Sequence, residues 1–101
     1  MLILSVKKKW FDMEAGGTKT EEYREITPYW SARIPHADDG SPQRDMLYLR
    51  NGYGDGRPTL AVFGFWNIQE GRPEWGAEPG KTYYTFHIET KYKIRIRRIL
   101  A

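Results

Sequence analysis

No cysteine occurs in the 101 residues, so disulfides and thiolate chemistry are both excluded. Only two histidines are present, and neither sits in a ligand-spaced cluster, which leaves no zinc signature and no other metal site. No cofactor motif is visible. No apolar run approaches the length of a membrane span. The opening Met1-Leu2-Ile3-Leu4-Ser5-Val6 is too short for a signal-peptide core and runs directly into Lys7-Lys8-Lys9. The expected compartment is therefore the cytoplasm. Internal repeats and low-complexity tails are also lacking.

The chain does have aromatic rings, with four Trp, seven Tyr and four Phe. Large rings pack well across strands, so the composition favours a sheet. Ten Gly and six Pro, mostly in the middle, imply many turns and few long helices. The length suits one domain, residues 1–101, with one modest core, as a monomer or weak homodimer. The formal charge of +3 is mild, but from Lys81 to Ala101 six Lys or Arg face Glu89 alone. Such an asymmetry can steer an anionic ligand or simply keep the surface hydrated.

Along the chain, Leu2, Leu4 and Val6 alternate with Ile3, Ser5 and Lys7, as in a strand with one apolar face. From Lys8 the spacing becomes helical (Trp10 and Met13, Phe11 and Ala15) and Gly16-Gly17 ends the helix, since glycine takes the left-handed closing geometry freely. Lys19 follows near that helix C-terminus, where the dipole favours a cation. Thr20–Ile26 reads as extended, with Glu22 and Arg24 on one face and Tyr23 on the other. Thr27 is a helix cap and Pro28 opens a short helix that stops before Pro35.

Met46–Arg50 has strand character, and Asn51–Pro58, with three glycines, reads as a hairpin connection. Thr59–Ile68 is apolar on both parities, which predicts a central strand with two covered faces, bulged or bent at Gly64. After a Gly/Pro-rich loop containing Trp75, Tyr83–Glu89 and Tyr92–Leu100 read as two strands joined by a turn near Thr90. The last strand carries a basic ridge of Lys93, Arg95 and Arg97. The fold class expected is α+β and mainly β: a small, strongly bent barrel of five or six strands with two short helices.

Gly16–Arg24 packs a turn, a lysine, hydroxyls, two carboxylates and a guanidinium into nine residues. A lysine supplies a point charge, an arginine a planar donor fork, and a carboxylate accepts from an exocyclic amine. The set suits phosphate or nucleobase recognition, and it equally suits a plain ion pair between Glu22 and Arg24. Trp30, Tyr53 and Trp75 fall in segments expected to rim a cleft, whereas Phe63 and Trp66 are expected in the core. His36 and His87 show no triad or metal partner. Glu21 and Glu22 beside Lys19 favour its charged form, so it reads as an anchor for phosphate or an oxyanion rather than as a base.

Gly17-Thr18-Lys19-Thr20-Glu21-Glu22-Tyr23-Arg24 matches the G-x-K-x-x-E-x-R signature of the ASCH domain, a member of the PUA-like superfamily. The flanks Lys9–Met13, Tyr23–Ile26, Tyr29-Trp30, Arg50–Tyr53 and Glu74–Ala77 also resemble small stand-alone ASCH proteins of bacteria and phages. The resemblance implies a PUA-like barrel with a cleft beside the motif and a role in binding RNA, a nucleotide or a nucleoside. The ligand-binding residues would be Gly17, Lys19, Glu22, Arg24, Tyr53, Trp75, Arg95 and Arg97. Some members look like amidohydrolases of N4-acylated cytidines that use a lysine, a threonine and a glutamate; others resemble ribonucleases. In an enzyme of that kind Lys19, Thr20 and Glu22 would be catalytic. The chain departs from the hydrolase pattern by placing Glu22 where that pattern has threonine, with Glu70 or Glu74 as its later glutamate.

Overall fold

A computed structural model describes residues 2–35, 41–54 and 56–96, with the side chains of 93–96 left aside. The element order is β1 (Leu2–Val6), α1 (Lys8–Gly16), β2 (Glu21–Arg24), α2 (Pro28–Ser31), β3 (Gln43–Asn51), β4 (Thr59–Glu70) and β5 (Thr82–Ile96), with a 3-10 turn over Pro73–Trp75 before β5. This is the expected small α+β architecture: five strands in one strongly curled half-barrel, with two short helices. Among the described residues no helix is long and apolar enough to cross a membrane.

The strands lie in the order β1-β3-β4-β5-β2. β1 runs parallel to β3, with Ser5 opposite Arg50, and every other pairing is antiparallel. β4 is the central strand, and its first four residues are all buried, in keeping with its apolar residues on both parities. The core forms where Leu4, Phe11, Leu47, Leu49, Val62, Trp66 and Phe86 meet, each all but inaccessible. Phe63, expected in the core, is only half-buried and not part of that cluster.

Curling comes from two register shifts between β4 and β5, at Leu60/Val62 and Phe63/Gly64. At Gly64 a Cβ would stand 1.8 Å from the His87 carbonyl oxygen, so only glycine lets β5 approach this closely. The same shifts correct one expectation. β5 is a single strand through Thr90, with no turn there, because the extra β5 residues are absorbed as bulges against β4.

Local signals set the helices. Gly17 closes α1 at φ 87°, and its N–H bonds the Glu14 carbonyl. Thr27 caps α2 by accepting from the Trp30 N–H, ahead of Pro28 in the first turn. β1 and β2 are the two sheet edges, and Arg24 bridges them by donating from Nη2 to the Ser5 carbonyl at 3.2 Å.

Candidate functional site

The turn after α1 carries Lys19 under the sheet, where its side chain is 1% exposed. Three acceptors meet the three N–H donors of its ammonium: Glu14 Oε2 at 3.0 Å, Glu22 Oε2 at 3.1 Å and the Glu21 carbonyl. The rings of Trp10 and Tyr23 flank it, with centroids 5.7 and 5.5 Å from Nζ. Two carboxylates therefore share one buried cation.

Glu14 is fully buried, and its Oε1 has no hydrogen-bond partner. Burial first, and then the neighbouring Glu22, push its carboxyl up from 4.5 to about 9 despite the opposing pull of Lys19. Burial pushes Glu22 up as well. There the hydrogen bond from Glu14 and the charges of Lys19 and Arg24 outweigh it, and the carboxyl falls below its ordinary value. At neutral pH the arrangement sets an acid, Glu14, beside a carboxylate, Glu22, with Lys19 bonded to both. Glu22 is thus kept ionised in a place that would otherwise neutralise it.

Above this trio, in the seam between the edge strands β1 and β2, opens a cleft of about 960 Å³. Glu22 and Arg24 line it, together with Trp10, Trp30, Tyr53 and Trp75. Arg24 is held against Glu22 Oε1 at 3.5 Å, the Tyr23 carbonyl at 2.7 Å and the face of Trp30 at 5.4 Å. Trp30 and Trp75 are half-buried, while Tyr53 is 85% exposed. The volume lies within the range of small-ligand sites, and the lining joins apolar rings to a few fixed polar groups.

No protein-family model, curated protein or solved structure matches the chain. The curled mixed sheet with two helices is consistent with a PUA-like half-barrel in general.

The structure brings Glu22, Arg24, Tyr53 and Trp75 into one cleft, with Trp30 beside them. Gly17, Lys19 and Thr20 are not among the residues lining it. Gly17 and Thr20 are exposed at the end of α1, and Lys19 lies behind the cleft, against its lining residues Glu22, Trp10 and Tyr23. Glu70 and Glu74 are also exposed and not among the residues lining the cleft. Arg97 and His36 lie outside the described residues, as do the side chains of Lys93 and Arg95.

His87 has structural partners in the neighbouring strands. Its Nε2 is 2.9 Å from Asn67 Oδ1, its Nδ1 is 3.7 Å from Glu21 Oε2, and its ring stacks on Phe65. Burial lowers its basicity against the pull of Glu21 and Glu89, so it serves as a neutral tie between β2, β4 and β5.

Sequence reasoning missed Glu14, Trp10 and Arg50. A signal for Glu14 was present: it stands three residues after the core residue Phe11, so the inner face of α1 includes a carboxylate. Arg50 shares the strand alternation of β3, but its place beside Ser5 depends on the parallel β1–β3 pairing.

Proposed function

We propose that the protein binds an unpaired nucleobase, as part of single-stranded RNA or as a nucleotide, in the cleft between β1 and β2. One observation carries this reading: several aromatic rings and a carboxylate held ionised line the same cleft. A base stacked on such a ring gains about 1–3 kcal/mol irrespective of its identity. Glu22 adds discrimination, because a carboxylate accepts from an exocyclic amine and repels a carbonyl. Bases with an amino group, such as cytosine and adenine, are therefore favoured over uracil. The likeness of Gly17–Arg24 to the ASCH signature points the same way.

Hydrolysis of an acylated cytidine has less to stand on. Neither later glutamate lines the cleft, and the Lys19 ammonium has spent its donors on the protein.

The test is a tryptophan-fluorescence titration with oligo-C, oligo-A and oligo-U at low and moderate salt. Saturable quenching by oligo-C and oligo-A, weaker with oligo-U, is expected, and Glu22→Gln should reduce the preference. Absence of quenching at low salt would overturn the proposal. Turnover of N4-acetylcytidine that disappears in a folded Lys19→Ala variant would replace it with the hydrolase reading.

A further inference from the structure

Two guanidinium groups converge on one serine in the wall of the cleft. Arg24 donates from Nη2 to the Ser5 carbonyl at 3.2 Å, and Arg50 donates from Nη2 and Nε to the Ser5 hydroxyl at 3.1 and 3.4 Å. Ser5, Arg24 and Arg50 all line the cleft. The parallel register that sets Ser5 opposite Arg50 fixes this meeting, and Arg24 arrives from the far edge of the sheet.

Arg50 has no ion-pair partner among the described residues, and a single hydroxyl accepts both of its contacts. Arg24 has a carboxylate neighbour, Glu22, but at 3.5 Å, and Lys19 and Glu14 already engage that carboxylate. Two like charges meet over one serine, and Glu22 is the carboxylate paired with one of them. Glu25 and Glu78 also line the cleft, with Glu25 paired to Lys81, so the N–H donors of Arg50 are left to face an anion. Val6 and Lys7 continue the same wall into α1, whose first turn has neither a side-chain cap nor an acidic residue.

We propose that Arg24 and Arg50, meeting over Ser5, form a phosphate subsite for the sugar-linked phosphate of the nucleotide whose base enters the aromatic part of the cleft. The inference rests on the nucleobase reading for the rest of its ligand, but the anion site itself stands on the two arginines. A phosphate presents the oxygens that planar guanidinium forks recognise best, and the serine hydroxyl adds a donor of its own. The group is either a terminal monoester or an internal diester of RNA, and the two share this chemistry.

Two measurements separate the subsite from the base site. In the first, inorganic phosphate is titrated into the ¹⁵N-labelled protein while the arginine Nε–Hε signals are followed, assigned by their loss in Arg24→Lys and Arg50→Lys. In the second, fluorescence titrations compare adenosine, its 5′-monophosphate and the dinucleotide ApA. Saturable shifts of the Arg50 and Arg24 signals are expected, with 5′-AMP binding about tenfold more tightly than adenosine, the low end for one charge-assisted hydrogen bond. In Arg50→Gln, checked for folding by circular dichroism, that ratio should fall towards one.

Tight binding of ApA marks the internal diester as the ligand, and tight binding of 5′-AMP alone marks the terminal monoester. Phosphate shifts without any adenosine binding would keep the subsite and sink the base reading. Adenosine binding with no gain from phosphate and no arginine shift would overturn the subsite and spare the base reading. Silence in both measurements would overturn both.

Discussion

Glu14→Gln tests the buried carboxyl pair most directly. Glutamine has the shape of the protonated acid: its carbonyl can still accept from Lys19 Nζ and its amide can still donate towards Glu22. In the unfolded chain the glutamic acid releases its proton near 4.5, whereas in the folded protein it holds the proton to about 9. A value raised by folding means that the folded state binds the extra proton between those limits. Its stabilising contribution is therefore complete below the unfolded value and is lost as pH rises through the folded one. Within the window the loss is about 1.4 kcal/mol per pH unit.

Between pH 6 and pH 8 the wild type should then lose about 2–3 kcal/mol through this group, and Glu14→Gln none of it. Glu22 does not confuse the comparison. Its folded value is depressed, so its contribution is present above its unfolded value and is lost only in acid. Urea unfolding of both proteins at pH 6, 7 and 8 reads the difference, with the variant gaining on the wild type at each step. Parallel stability curves across that range would show that Glu14 holds no proton there, and the account of Glu22 would fail with it.

Lys19→Met removes the cation shared by two buried carboxyls and should cost about 3–5 kcal/mol in urea unfolding at pH 7; a loss below 1 kcal/mol would mean the ammonium balances no charge. Gly64→Ala drives a Cβ into the His87 carbonyl, so a loss at or beyond the top of the usual ~1–3 kcal/mol for overpacking is expected, and a thermal midpoint like that of the wild type would contradict the close approach of β5. Tyr53→Ala should leave stability within about 0.5 kcal/mol, because the ring is almost wholly exposed, yet weaken oligonucleotide binding by ~1–3 kcal/mol of stacking. Unchanged affinity in that variant would remove Tyr53 from the site.

Much of the fold is legible wherever a signal is local. Alternation in Leu2–Val6, the Gly17 stop, the Thr27-Pro28 start and the doubly apolar run at Thr59–Ile68 each correspond to an element in the expected place. Gly64 is legible as a bulge for the same reason, since only a backbone contact excludes every side chain there. Thr90 misleads because polar, exposed residues at a bulge resemble those at a turn, and only the partner strand distinguishes the two.

The cleft divides along the same line. Glu22 and Arg24 share a face through a spacing of two, and the aromatics near glycine turns fall on its rim. Arg50 joins them through a pairing between residues 45 positions apart, which no local pattern encodes. Lys19 is readable as a charged lysine among carboxylates but not as a buried one, because its burial depends on Glu14 and Trp10 closing over it.

The strand order carries a consequence for synthesis. β1 and β2 are separated in the chain only by α1, yet neither pairs with the other; β1 waits for β3, and β2 pairs only with β5. The segment holding Lys19, Glu22 and Arg24 therefore leaves the ribosome early but stays an open strand until residues 82–96 have emerged and closed a long loop. Nascent chains arrested before β5 should carry the whole Gly17–Arg24 segment and bind nothing, and binding competence should appear in a single step as the last strand docks.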